Sequence, residues 1–189
     1  DDTVKMISVR NPEAAAVSRG VRSIRHNRIF EHPFIPWSTQ RVLLREEMPE
    51  NIGQGAKPLA DISPLYKLEE QLFYDLLETK DSTILLSSCV IDPYQTYYKL
   101  SVDPTVNCFI NMYFDLCEIE RRKFELECRK VILNPQQVAA IYKDTKRVLD
   151  EVLNDFLTEV DRGQNRKAML KWNEVIKAEL GIDNIALFA

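Results

Sequence analysis

The chain has 189 residues, 45% hydrophobic and 29% charged, a composition that can bury a full core and suits one domain, or one domain with an arm. The net charge of −4 is uneven: residues 1–45 hold eight Lys+Arg against four Asp+Glu, and the remainder holds 17 against 25, a basic front on an acidic body. No apolar run reaches the roughly 18 residues of a membrane span, which argues against a transmembrane segment, and five glycines leave little room for Gly-rich phosphate loops.

Residues 1–10 alternate weakly and read as an extended tail or a short strand. Asn11-Pro12-Glu13 is a helix start, and Ala14, Val17, Val21 and Ile24 make an apolar stripe, so a helix is expected over 12–26. Arg19, Arg22, Arg25 and Arg28 recur every three residues. They read as a solvated basic face or as a contact for an acidic surface, with nucleic acid the lesser option. Residues 29–38 (IFEHPFIPWS) carry two prolines, which forbid helix and central strand. Phe30, Phe34 and Trp37 make this stretch hydrophobic enough to need cover, from the chain's own helices or from another molecule. Ser38 can cap a short helix over 39–48, and the Gly- and Pro-bearing residues 49–62 read as a hinge. Residues 1–62 are therefore assigned to an N-terminal arm and 63–189 to a body.

Ser63-Pro64 opens an expected helix to Thr79, with Leu65, Leu68, Leu72, Phe73, Leu76 and Leu77 on its apolar face. Ser82–Ile91 permits either strand or buried helix; with no second convincing strand to pair with, helix is preferred. A short helix rich in tyrosine is expected over 93–100. Asp103 and Pro104 then start a long helix expected to run to Leu133. Its first half is apolar nearly all round, as a buried central helix should be, apart from one polar line through Asn107, Asn111 and Asp115. Its second half carries the i,i+4 pairs Glu118/Arg122 and Glu125/Arg129. Asn134-Pro135 caps a one-sided amphipathic helix to Val160, Gly163 ends it, a last helix spans 166–180, and Gly181 stops that. The apolar tail IDNIALFA is expected to dock.

The four cysteines, Cys89, Cys108, Cys117 and Cys128, show no C-x-x-C spacing and read as buried reduced thiols, pointing to an intracellular, reducing compartment. The chain begins at Asp1 rather than Met, which leaves room for a removed targeting segment. No metal, cofactor or catalytic constellation emerges: both histidines lie in the arm, away from the cysteines. The acidic line Asp144, Asp155, Glu151 and Glu159 reads as a solvated face, and Asn107, Asn111 and Asp115 most simply as a solvent-facing stripe.

The expectation is an all-α helical bundle with long antiparallel helices and an extended, Pro-containing arm. Its expected function is non-enzymatic: an interaction or structural subunit of a homo- or hetero-oligomer whose arm contacts a protein partner through Arg19, Arg22, Arg25, Arg28, Phe30, Phe34 and Trp37. One alternative is a helical small-ligand-binding domain or enzyme with a polar pocket at Asn107, Asn111 and Asp115. The other is nucleic-acid binding through the arginine row.

Overall fold

The computed structural model describes residues 34–43, 64–92, 95–131 and 133–189. In chain order it contains β1 (Ile35–Pro36), β2 (Tyr66–Lys67), β3 (Glu70–Glu78), β4 (Thr83–Ile91), β5 (Tyr97–Tyr98), α1 (Pro104–Arg129), α2 (Pro135–Val160), a 3-10 turn (Asp161–Gly163), α3 (Arg166–Leu180) and α4 (Asn184–Leu187). The fold is thus mixed α/β, and the expected all-α bundle is wrong. One antiparallel sheet has the order β1-β4-β3, and a second small one pairs β2 with β5. The helix expected over 39–48 is also missing where it can be seen: residues 39–43 follow no regular helix. The helix expected over 12–26 lies outside the described residues.

The helices expected over 64–79 and 82–91 are instead the two long strands. The segment EQLFYDLLE satisfies both periods. Leu72, Phe73, Leu76 and Leu77 fit a helical stripe, but Leu72, Tyr74 and Leu76 also share one face of a strand. A lone strand leaves its backbone donors and acceptors unpaired, so neither segment reads as β by itself. Together they pair over their whole length, from Glu70↔Ile91 to Glu78↔Thr83. The turn between them closes with Thr79 N donating to Ser82 O at 2.8 Å and Ser82 N donating to Thr79 Oγ1 at 3.0 Å. Where the 93–100 helix was expected, the described residues hold β5, with Tyr98 tilted against Tyr66.

The central helix forms as the sequence suggests. Asp103 caps α1 by accepting from Val106 N at 2.9 Å, and Pro104 occupies the first turn where no N–H is needed. From Cys108 to Glu120 every residue is buried, because the sheet covers one side and α2, α3 and α4 cover the others. Phe109 stacks on Phe156 of α2 at 5.7 Å, and Trp172 of α3 meets Phe156 edge-on. The second half of α1 is covered only along Phe124 and Cys128, which pack with Val138 and with Tyr74 and Leu76 of β3. The helix stops at Arg129, short of the expected Leu133. α2 and α3 keep their expected bounds. No described helix is long and apolar enough to cross a membrane.

The α2–α3 corner depends on glycine. Gly163 has φ +89°, and a Cβ there would lie 2.8 Å from Thr105 Cγ2 on α1. Gly181 has φ +72° but open space around it. Gly163→Ala is therefore expected to cost about 2–3 kcal/mol and Gly181→Ala only about 1 kcal/mol, read from urea midpoints.

Glu70, at the start of β3, accepts from Tyr113 Oη at 3.0 Å. Burial pushes its carboxyl above the ordinary 4.5, against lowering by its own backbone N–H, Lys146 and Tyr113. A carboxyl raised in the folded state contributes stability that is present below the unfolded value and lost as pH rises through the folded one. Glu70→Gln is thus expected to become progressively more stable than the parent as pH rises from about 4.5, and equal to it below; parallel denaturation curves across that range check this.

Candidate functional site

Two of the three residues on the polar line of α1 are fully buried. Asn111 and Asp115 are 1% and 0% exposed, so the solvent-facing reading fails for both, and Asn107 is half-buried. Two clefts among the described residues, of about 340 and 420 Å³, are lined by other residues. Asn111 and Asp115 are met by the chain's own segment 34–43, and Asp115 also by Asn184 of the tail.

Asn111 holds that segment by its backbone. Its Oδ1 accepts from Val42 N at 2.8 Å, and its Nδ2 donates to Val42 O at 2.8 Å and to Asn107 O at 2.8 Å. A side-chain amide that answers both polar groups of one residue does for Val42 what a neighbouring strand would do. One turn on, Asp115 accepts from Trp37 Nε1 at 2.7 Å, from Arg41 Nη1 at 3.0 and 2.8 Å, and from Asn184 Nδ2 at 2.7 Å. Arg41 also donates to Ser38 O, Thr39 O and Asn184 Oδ1, so the guanidinium is held from several directions. Arg122 of α1 lies over the Trp37 ring, 5.4 Å from its centre.

The network continues through the C-terminal tail. Asn184 N donates to Asn173 Oδ1 at 3.0 Å, and Asn173 Nδ2 donates to Asp183 Oδ1 at 2.9 Å. Asp183 caps α4 and pairs with Lys177. Donation from Asn173, from Ala186 N and from Lys177 holds its carboxyl down at about 2. One continuous set of polar contacts therefore joins the arm segment, α1, α3 and the tail.

A second cluster sits where α1 passes β4. Arg121 grips Glu118 with two bonds of 2.8 Å and reaches Ser87 Oγ of β4 at 2.8 Å and Glu125 at 2.6 Å. The expected Glu118–Arg122 and Glu125–Arg129 pairs are present at 3.3 and 3.5 Å, but Arg121 is the cation that fills the interior. All four cysteines are free and buried. Burial, and the neighbouring Cys117, push the Cys89 thiol well up, which makes it a poor nucleophile. No group of three metal-ligating side chains occurs among the described residues.

Of the residues expected at a site, the structure brings together Asn107, Asn111, Asp115 and Trp37. Phe34 meets Phe73 of β3 edge-on at 5.8 Å. Arg19, Arg22, Arg25, Arg28 and Phe30 lie outside the described residues. The acidic line of α2 is surface: Arg147 bridges Asp144 and Glu151, and Glu159 takes Lys171 and the Trp172 indole. Arg41, Asn173 and Asn184 were not singled out from the sequence. The Asp183-Asn184 pair inside an apolar tail was the one visible cue.

Removing the carboxylate of Asp115 strands a guanidinium whose side chain is only 12% exposed. Asp115→Ala is expected to cost about 3–5 kcal/mol. Arg41→Ala combined with it should cost less than the two single losses added together, and the Trp37 emission should shift to the red in each variant. Urea denaturation and fluorescence give both readings.

No family model matches the chain, no curated protein matches it, and no solved structure matches it.

Proposed function

We propose that the chain is a non-enzymatic binding domain whose recognition site is the polar seat of Asn111 and Asp115, and that segment 34–43 is its resident, peptide-like ligand. The observation that carries this reading is the fully buried Asp115 carboxylate, whose cation, Arg41, comes from a segment with no regular helix and only a two-residue strand. Each part of the seat answers one property of an extended peptide. Asn111 reads a backbone N–H and C=O, Asp115 reads a planar cation, and its remaining lone pair reads an indole N–H four residues earlier. The ligand class is therefore an extended segment with Trp, then Arg four residues on. The expected polar pocket and the expected contact segment become the two halves of one contact.

An intramolecular ligand competes at an effective concentration of about millimolar for a short tether, so the seat of the intact chain is self-occupied. The test uses a synthetic peptide of residues 34–43 and the full chain carrying Trp37→Ala and Arg41→Ala. The vacated seat is expected to bind the peptide saturably in an anisotropy titration, at least about tenfold more tightly than the unsubstituted chain does. Adding Asp115→Asn should abolish the gain. A folded, vacated chain that ignores the peptide would rule the proposal out.

A further inference from the structure

The three-stranded sheet has two outer edges, and they are treated differently. On β3, the residues whose backbone faces away from β4 are the even-numbered ones, because Glu69 O and Thr79 N both bond across to β4's side of the hairpin. That edge is guarded: Tyr142 of α2 donates to Leu72 O at 2.7 Å, and Glu70 and Glu78 flank it with charge. On β4, the opposite edge is set by Trp37 N donating to Cys89 O at 2.8 Å, so residues 83, 85, 87, 89 and 91 present their backbone there. β1 covers only the far end, opposite Val90 and Ile91. Beyond Cys89, no described strand pairs with Thr83, Leu85 or Ser87.

This stretch, Thr-Ile-Leu-Leu-Ser, is unpaired at its outer edge among the described strands and carries no charge, no proline and no bulge. Beside it runs the cleft of about 420 Å³, lined by Thr83, Ile84, Leu85, Glu125, Arg129, Val131 and Leu133. One large apolar side chain stands out on it, Ile84 at 45% exposure. The edge already accepts an extended segment, β1, so a further strand continues an interface that the fold itself uses.

We infer that this chain forms a twofold dimer by antiparallel pairing of β4 with β4 of a second copy, centred on Leu85. The three outward-facing positions, Thr83, Leu85 and Ser87, are symmetric about Leu85, as a twofold pairing of two copies requires. Leu85 N–H and C=O both face the open edge, so a twofold axis beside Leu85 pairs it with the second copy's Leu85. The same axis sets Thr83 against the second copy's Ser87 and closes the exposed backbone groups of all three positions in both copies. On the face of the sheet away from α1, Ile84 then lies against the second copy's Leu86, an apolar pair made twice. On the α1 side, Leu85 meets the second copy's Leu85 above the cleft. No charge opposes a like charge along the paired stretch, because it holds none. The contact is separate from the Asp115 seat and does not depend on what occupies it.

Sedimentation velocity of the full chain over a dilution series tests the inference, with hydrogen exchange run at both ends of that series. A concentration-dependent dimer is expected. Ile84→Lys should weaken it by about tenfold or more, since it sets a charge against apolar Leu86 at two symmetric places. Leu170→Lys, on an exposed position of α3, should leave it unchanged. Circular dichroism of each variant confirms an intact fold. The Thr83, Leu85 and Ser87 amides should exchange fast when dilute and slowly when concentrated. A chain that stays monomeric overturns the proposal, as does a dimer indifferent to Ile84→Lys, or amides equally protected at both concentrations.

Discussion

The Asp115 carboxylate is completely buried, and the structure around it is arranged to keep its charge satisfied. It draws a guanidinium and an indole from residues 37–41, an amide from residue 184, and sits one turn from the Asn111 amide that fixes Val42. A buried carboxylate costs several kcal/mol in lost hydration unless it is paired and hydrogen-bonded well. Two chain segments far apart in sequence therefore have to reach the same point on α1. This requirement fixes where the 34–43 segment crosses and where the tail docks more sharply than hydrophobic contact would, since apolar packing tolerates small shifts and a buried, charge-assisted hydrogen bond of 2.8 Å does not.

α1 makes that arrangement possible by acting as a shared wall. Its apolar surface is divided among the sheet, α2, α3 and the tail, with Phe109, Phe156 and Trp172 forming the aromatic centre. The polar line faces segment 34–43, and Asn184 of the tail joins it at Asp115. Where α1 leaves the main core, Arg121 takes over from apolar packing and ties Glu118 and Glu125 to Ser87 of β4. The hairpin is thus joined to the helix by leucine and cysteine at one end and by a charged cluster at the other.

The edges of the hairpin follow from the same layout. α2 runs close to β3, so Tyr142 can reach its outward carbonyl. On the other side the 34–43 segment pairs briefly with β4 and then turns toward Asp115, because Trp37 and Arg41 are drawn there. The pull of the buried carboxylate is what ends β1 after two residues and leaves the rest of the β4 edge without a described strand.

Local chemistry in the sequence was enough to place the helical half of the molecule. Asp103-Pro104, Asn134-Pro135, Gly163 and Gly181 mark helix ends by capping, ring geometry and left-handed backbone, all properties of a few neighbouring residues. The apolar circumference of α1 announced a central helix, and the Asn107-Asn111-Asp115 line announced something polar upon it. The strands were illegible because EQLFYDLLE and TILLSSCVI are apolar on both faces, so helical and extended periods fit equally, and only their mutual pairing decides between them. The seat was half legible for a related reason. Spacing on one helix puts Asn111 and Asp115 in line, but Arg41 and Asn184 lie 74 and 69 residues away along the chain. Nothing local records such a meeting. Tertiary structure alone brings those groups to Asp115, because only the folded chain excludes the water that would otherwise have satisfied it.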